Sequence, residues 1–567
     1  MYCNKANANQ LTALLIAHGI KDIVVCPGSR NGVLAHNFHA APLLNAHPVT
    51  DERSAGFVAL GLALATGRPA AVCVTSGSAL LATLPAVSEA YYRHIPLIVI
   101  SADRPPQWIG QMDGQTLPQQ HALQPYADTY NIIEPQNETE RWGNNRLINE
   151  ALCRCREPEG RPVHFNLPIS EPLFAFTTPA LPCERMVKTC AASAPAPLPD
   201  EIVSLITEAS NPLLVVGQCE QREAEIIDRL DGAGRMLVLP ELTTPSALCR
   251  RTALLEADDH LLYLYSPDVV VHIGGNFIGK AVKRLLREYL PFYLIRIDLS
   301  DTLCDTFCHL THHVQADPID AAAQLLYALP ENQNVKNASA AFDRRTAQAD
   351  AANLDALPFS DLTAMRLLAK RLERQDGTVL HLGNSSVVRN AALFFDSHRL
   401  RVHCNRGVNG IEGSLSTAVG HALGTTWQVW AVLGDLSALY DANALWNTQL
   451  PANLRIVVFN NGGGQIFSRL PGLYCSEAAP GLIAAAHGYS LEHIAAAFGL
   501  EYHAAHSLAE ADSAFTEMLA TSGKAQLTEI FTRSADNEEA RIKYQELINA
   551  LVNEYTSKRD RLPLPVD

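Results

Sequence analysis

Between Ala431 and Phe467 the chain reads AVLGDLSALYDANALWNTQLPANLRIVVFNNGGGQIF. One apolar run ends at Gly434-Asp435, and a second, Ile456 to Phe459, ends in Asn460-Asn461-Gly462-Gly463-Gly464. Short continuous runs of this kind predict parallel strands buried on both faces. Two such strands bring a carboxylate and a carboxamide to one sheet edge, where both can reach a single hard cation with oxygen ligands. The glycines let a backbone carbonyl turn inward to join them. A Mg²⁺ held at the carboxyl ends of parallel strands is suited to clamp a diphosphate, because ligands of open α/β sheets sit at that edge. The plainer alternative is a pair of glycine-rich turns with a capping aspartate.

The same pattern recurs along the whole chain, and 567 residues exceed what one core supports. The expected fold class is α/β, with three open, mostly parallel α/β domains. The first domain, residues 1–180, has strands at Asp22–Cys26, Ala70–Thr75 and Leu97–Ser101 and a helix over Asp51–Thr66. Residues 181–199, within a Pro- and Ala-rich stretch containing SAPAPLPD, read as a linker. A central domain, 200–355, has strands near Leu213–Val216, Met236–Leu239, Val269–Ile273 and Tyr293–Ile297, and reads as mainly architectural. Its polar end, Glu331 to Asp355, leads to the third domain, 356–567. There the strands are Val379–Leu382, Val402–Cys404, Trp427–Leu433, Leu454–Phe459 and Ala525–Phe531, before an amphipathic helix over Glu538–Thr556. The similarity of the outer two domains suggests duplication.

Charge narrows the partners. With 59 acidic against 44 basic side chains, the net charge of -15 disfavours nucleic acid and anionic membranes. Anionic small substrates would need arginines inside a site. No charged-then-apolar leader opens the chain, and no apolar run is long enough to span a bilayer. Thirteen scattered cysteines, an odd number, read as reduced cytoplasmic thiols.

Several groups sit just past predicted strands: Pro27-Gly28-Ser29-Arg30, Glu52, Ser76-Gly77-Ser78, Asp103-Arg104 and Asn384-Ser385. Glu52 opens a helix, where the dipole alone favours a carboxylate; at the ligand-binding edge it is also a candidate acid or base. Arg30, Arg104, Arg389 and Arg406 lie in Gly-, Ser- or Pro-rich turns, and arginine pairs with carboxylates in bidentate fashion. Surface or interdomain ion pairing is their structural alternative. Ile411, between glycines in NRGVNGIEG, could project into a crevice or pack under a loop. The run Cys304 to His313 has soft ligands for zinc but lacks the tight paired spacing of structural sites. Elbow, zincin and P-loop signatures are absent.

Together these residues resemble the thiamine diphosphate-dependent enzyme superfamily, and within it the MenD branch of menaquinone biosynthesis. The matching stretches are CPGSRN (26–31), TDERSAGFVALGLA (50–63), VTSGSA (74–79), SADRPP (101–106), GNSSVVR (383–389), NRGVNGIEGSLSTA (405–418), GDLSALYD (434–441) and NNGGGQIFSRLP (460–471). The resemblance implies a cytoplasmic homodimer or homotetramer with active sites between subunits, using thiamine diphosphate with Mg²⁺ or Mn²⁺. It implies decarboxylation of 2-oxoglutarate and addition of the four-carbon product to isochorismate. A sister 2-oxoacid decarboxylase or acetohydroxyacid synthase is the alternative. By the same resemblance, Asp435, Asn461 and the Gly463 carbonyl would hold the metal. Ile411, Leu436, Ser437, Gln465 and Ile466 would line the cofactor, and Glu52 would meet its pyrimidine N1′ from a neighbouring subunit. Ser385 and Arg30 would lie at the reacting centre. Arg30, Arg104, Gln115, Lys280, Arg389 and Arg406 would bind substrate. Two positions depart from the family pattern: Gly462 replaces a frequent third asparagine, and Ala281 follows Lys280 where some relatives have a basic pair, leaving Lys283 or Arg284 as substitutes.

Overall fold

A computed structural model describes residues 1–559 apart from 158–159, 191–196, 220–224, 258, 289–290, 448–449, 471 and 521, with the side chains of 468–469, 474 and 551–559 also outside it. Among the described residues seventeen strands form three sheets. The first contains β1 (Asp22–Val25), β2 (Asn45–Pro48), β3 (Ala70–Val74), β4 (Leu97–Asp103), β5 (Asp128–Asn131) and β6 (Val163–Pro168), ordered β2-β1-β3-β4-β6-β5. The second contains β7 (Pro212–Val216), β8 (Leu237–Pro240), β9 (Val269–Ile273), β10 (Tyr293–Asp298) and β11 (His312–Gln315), ordered β11-β10-β9-β7-β8. The third contains β12 (Thr378–Leu382), β13 (Arg401–Cys404), β14 (Gln428–Gly434), β15 (Leu454–Asn460), β16 (Glu501–Ala505) and β17 (Gln526–Phe531), ordered β13-β12-β14-β15-β17-β16. Every pairing is parallel. The expected α/β class with three parallel sheets is the one observed.

The continuous apolar runs behave as their composition requires: β3, β4, β7, β9, β12 and β15 are buried at every residue. Two polar segments make packed contacts. Of the expected linker, 191–196 lie outside the described residues, but Glu184 accepts from Arg141 (2.9 Å) and Asn145 (2.8 Å), and Asn149 holds the Val187 N–H at 2.7 Å. The polar stretch after Glu331 is largely a helix, Gln333–Ala351, capped by the Asn332 side chain. It has few apolar residues, yet Val335 and Phe342 are fully buried, and Arg251 both lies over the Phe342 ring and bonds Asp343 at 2.6 Å. The C-terminal helix, Ser534–Arg559, buries Tyr544 and Ile548 against the third sheet.

The first and third sheets share one hydrophobic core, which runs from Val72 and Leu60 to Leu415, Val419 and Ala431. Its seam is a pair of helices, Glu52–Thr66 and Ser414–Leu423. Their backbones touch because glycines face backbone on both sides. A Cβ at Gly61 would lie 2.0 Å from the Thr417 carbonyl oxygen, and one at Gly420 would lie 2.0 Å from that of Val58. Alanine is the better helix former by about 1 kcal/mol, but overpacking a rigid contact costs about 1–3 kcal/mol or more. Gly61→Ala is therefore expected to destabilise the protein, shown by a lower urea midpoint. An unchanged or raised midpoint would refute the close-contact account.

Candidate active site

Parallel strands deliver their carboxyl ends to one edge of each sheet, and the loops there carry the candidate residues. In the third sheet β14 ends at Gly434, and Asp435 opens the helix Asp435–Tyr440. The neighbouring strand β15, in register with Gly434 opposite Phe459, runs out at Asn460. Asp435 Oδ2 accepts three backbone N–H bonds from the next turn: Asn461 at 3.1 Å, Gly462 at 2.9 Å and Gly463 at 3.0 Å. Its Oδ1 accepts the Leu436 N–H at 2.6 Å. Such convergence needs left-handed backbone, with φ of 80° at Gly462 and 142° at Gly463. Burial raises the Asp435 pKa, and these amides together with His487, 3.4 Å away, work against that rise.

The donor set suits a hard cation. Asn461 Oδ1 is buried without a hydrogen-bond partner, beside a carboxylate on the adjoining strand end. The third expected ligand is placed differently. Gly463 turns its amide toward Asp435, and its carbonyl accepts the Gln465 N–H at 2.9 Å. Gln465 spends its own side-chain amide on Ser534 O (2.9 Å), while Ile466 shares its 3₁₀ turn, Gln465–Arg469. Ser437 Oγ donates to the Ile411 carbonyl at 2.6 Å, and the Ile411 side chain is 39% exposed at the sheet edge. Ser385 follows β12 with φ 73° and ψ -128°, a costly backbone for a residue with a Cβ, and its carbonyl accepts from Arg389 at 2.7 Å.

In the first sheet, Glu52 begins its helix directly after Asp51, which caps it by accepting the Ser54 N–H. Asp51 and Arg53 contact the third sheet's loops through Asn443 (2.9 Å) and the Tyr440 carbonyl (2.7 Å). Among the described residues no hydrogen bond or ion pair joins Glu52 to the Asp435–Gly463 turn. Two expected substrate arginines are tied within the first domain: Arg30 to Ile169 O (2.7 Å) and Glu171 (2.8 Å), and Arg104 to Asp113 (2.9 Å). Gln115 is exposed with φ 56°, its backbone lying against Gly77.

Arg389 and Arg406 belong to a second cluster, where the middle sheet meets the third. Arg406 donates to Asn384 Oδ1 (3.1 Å) and across to Phe277 O (2.6 Å), and Asn276 reaches back to Arg406 O at 2.5 Å. The middle block therefore shapes this edge and is not merely architectural. Lys280 is exposed, its backbone N–H held by Glu256. Arg284 is paired with Asp259 at 2.7 Å. Lys283 faces inward: burial and Arg406 lower its pKa. Of the two proposed substitutes for the missing basic residue, Lys283 is the one near Arg406, its ammonium over the Phe277 ring.

Sequence reasoning overlooked three carboxylates. Glu89, buried in the apolar helix Leu84–Tyr92, accepts the N–H groups of Gly407 (2.9 Å) and Val408 (2.8 Å). A lone charge in LPAVSEAYY was the available signal. Asp361 accepts from Asn461 Nδ2 at 2.9 Å. Glu241 is fully buried beside Arg406 and bonds the Gly279 N–H at 3.2 Å. The Cys304–His313 run gathers no metal-binding group: His313 bonds Asp298 (2.9 Å) and His309 bonds Arg287 O. Among the described residues one such group exists, His381, His403 and His421, with ring nitrogens within 4.8 Å. His381 and His403 lie opposite each other on β12 and β13 and pack ring against ring with His421 in the core.

Comparison with known proteins identifies the family. Residues 6–132 match the family model described as thiamine pyrophosphate enzyme, N-terminal TPP binding domain. A 2-succinyl-5-enolpyruvyl-6-hydroxy-3-cyclohexene-1-carboxylate synthase of Bacteroides thetaiotaomicron is 38% identical over 559 residues, covering 96% of this chain and 98% of its own. Synthases of the same name are 37% identical in Phocaeicola vulgatus (86% and 88% covered) and 35% in Desulfotalea psychrophila (88% and 93%). The chain belongs to the MenD family. It is a thiamine diphosphate-dependent enzyme of the decarboxylase and transferase type. Among the described residues no helix is long and apolar enough to cross a membrane.

The electrostatics of the second cluster can be tested in this MenD-family chain. Burial pushes the Glu241 carboxyl up to about 7, with Gly279 and Arg406 only partly offsetting it. A carboxyl whose folded pKa exceeds its unfolded one binds more protons when folded, so it costs stability as pH rises from its unfolded value toward 7. Glu241→Gln mimics the protonated form. The variant should gain stability over wild type between pH 5 and 8, by at most a few kcal/mol. Parallel stability curves in denaturant across that range would remove Glu241 as the responsible group.

Proposed function

We propose that this enzyme uses thiamine diphosphate and a divalent cation, Mg²⁺ or Mn²⁺, to decarboxylate 2-oxoglutarate and join the four-carbon remainder to isochorismate. The products are 2-succinyl-5-enolpyruvyl-6-hydroxy-3-cyclohexene-1-carboxylate and CO₂, a step of menaquinone biosynthesis in the cytoplasm. The observation that carries the reading is the meeting of the Asp435 carboxylate and the buried Asn461 Oδ1 at adjoining strand ends. The name of the relatives gives the product, and the two substrates are those the family resemblance of the sequence implies.

Bound thiamine diphosphate would supply the nucleophilic carbon and the electron sink for decarboxylation. Asp435 and Asn461 would hold the cation, with the Gly463 carbonyl available once it releases Gln465. Leu436, Ser437, Gln465 and Ile466 would line the diphosphate side, and Ile411 would pack against the cofactor. Glu52 would exchange a proton with the pyrimidine N1′. Its place on the first sheet, without a bond to the cation turn, suits a homodimer or homotetramer in which one subunit's Glu52 serves another subunit's cofactor. Residues 1–180 would then be the pyrimidine-binding domain and 356–567 the diphosphate-binding domain. Residues 200–355 form the central domain after the 181–199 connection. Arg389, Arg406 and Lys283 would neutralise and orient the carboxylates, with Ser385 at the reacting centre. Arg30, Arg104, Gln115 and Lys280 would complete substrate contacts, the first two after exchanging their present carboxylate partners for substrate.

The direct test supplies cofactor, Mg²⁺ and 2-oxoglutarate with or without isochorismate, and follows CO₂ and products by mass spectrometry. CO₂ release should depend on isochorismate and yield the adduct. Succinic semialdehyde formed equally well without it would instead identify a simple 2-oxoacid decarboxylase. In the same assay Glu52→Gln should lower turnover roughly 10²- to 10⁴-fold while leaving cofactor affinity near wild type.

Arg389→Lys keeps the charge but loses the planar fork. Loss of a charge-assisted contact predicts a fall of about tenfold or more in kcat/KM for 2-oxoglutarate, isochorismate or both. Separate steady-state constants decide this, and wild-type values for both would leave Arg389 with only its bond to Ser385 O.

A further inference from the structure

We propose that Asp361 is a positioning residue that fixes the orientation of the Asn461 carboxamide and so presents Asn461 Oδ1 to the divalent cation. The inference rests on the cation reading above and extends it to a residue 100 positions away in sequence. Asp361 opens the helix Asp361–Leu372, behind Ser360, whose capping box with Thr363 fixes the start of that helix. The Asp361 side chain is buried and both oxygens are used: Oδ2 accepts from Asn461 Nδ2 at 2.9 Å and Oδ1 from Thr532 Oγ1 at 2.6 Å. Its backbone N–H donates to Asn537 Oδ1 at 2.7 Å. Asn537 in turn donates to Thr532 Oγ1 (3.0 Å) and to Gln465 Oε1 (2.9 Å), which ties the end of β17 and the C-terminal helix to the cation turn.

A carboxamide presents an oxygen and a nitrogen in nearly the same shape, and only its surroundings choose between its two orientations. Both Asp361 oxygens act as acceptors, Oδ2 toward Asn461 and Oδ1 toward Thr532, so the carboxyl group selects the Asn461 NH₂ group. Flipping the amide would set its oxygen against Asp361 Oδ2. The selected orientation leaves Oδ1 facing away from Asp361, buried and without a hydrogen-bond partner. An oxygen left this way costs free energy unless a ligand uses it. Asp361 thus acts on the cation through Asn461, as partners outside the coordination sphere commonly orient metal ligands.

The test titrates Mn²⁺ into the full-length protein with saturating thiamine diphosphate, read by electron paramagnetic resonance and calorimetry. Wild type, D361A, D361N, N461A and the double variant D361A/N461A are compared, with apo melting curves to confirm folding. D361A should weaken Mn²⁺ binding about 10- to 100-fold. D361N should stay within about threefold, because its oxygen can still accept from Asn461 while the Thr532 hydroxyl reverses to accept. The double variant should bind no worse than N461A, since the effect passes through that residue. If D361A does not fold, Asp361→Ser, which starts a helix but is too short to reach Asn461, carries the same expectation. Wild-type Mn²⁺ affinity in D361A alongside weakened binding in N461A would overturn this inference alone. So would an equal loss from D361A in the N461A background, which would mark a purely structural role. Wild-type affinity in N461A would remove the cation reading itself, and this inference with it.

Discussion

One carboxylate oxygen organises the edge of the third sheet. Asp435 Oδ2 draws three successive amide N–H groups of the Asn461–Gly463 turn to itself, a convergence available only where glycines supply positive φ. Parallel pairing of β14 and β15 sets the separation that makes it possible, because neighbouring strands lie about 4.8 Å apart. Burial of Asp435 is costly, and the amides compensate for it. The turn is thereby brought to where Asn461 can face Asp361 on one side and keep its oxygen free on the other. Neighbouring contacts follow: Ser437 holds Ile411 O, and Asn537 holds Gln465. With a shifted register in β15, none of these groups would meet.

The strands that were legible in the sequence are those buried on both faces, where composition has no freedom. Those that escaped are mostly edge or near-edge strands. β2 reads Asn45-Ala-His-Pro48 and is largely exposed, and β16 shows one buried residue in five. β6, Val163–Pro168, escaped for another reason. Its buried His164 and Asn166 form a polar network with Ser101 and Gln119, so a strand paired on both sides carries a polar signature. The helix after Glu331 was hidden likewise, since three buried apolar residues, Val335, Phe342 and Ala349, and an arginine over the Phe342 ring anchor 19 residues. Pattern reasoning reads apolar burial well and satisfied polar burial poorly.

The candidate site shows the same asymmetry. Residue type and strand-end position sufficed to nominate Asp435, Asn461, Ser385 and Glu52, because chemistry at strand ends is local. Partner choice is not local. Four turn-borne arginines looked alike in sequence, yet Arg30 and Arg104 have carboxylate partners within their own domain, while Arg406 spans two sheets. Carboxylates such as Glu89, Glu241 and Asp361 act by holding backbone or amide groups distant in sequence, and no spacing rule points to them. Lys283 against Arg284 was likewise undecidable until the helix Ala281–Glu288 put Lys283 over the Phe277 ring and Arg284 against Asp259.

The first and third sheets have the same internal order. Numbered from their own first strands, each reads 2-1-3-4-6-5, while the middle sheet, read from its opposite edge, is 2-1-3-4-5. The helix after the second strand is Glu52–Thr66 in one and Ser414–Leu423 in the other, and these equivalent helices are the pair that meet through Gly61 and Gly420. Duplication accounts for this arrangement more simply than convergence, since the contact surface of each copy comes from the same element. The chemistry has diverged at matching positions. After the third and fourth strands, the third sheet carries Asp435 and Asn461, whereas the first carries Ser76 and Arg104. After the second strand, the first sheet carries Glu52 at its helix start, and the third offers the Arg406–Gly413 loop with Ile411. Under the proposed function one copy would offer oxygen donors for a cation and the other the Glu52 carboxylate, a division of labour suited to a cofactor held at both of its ends.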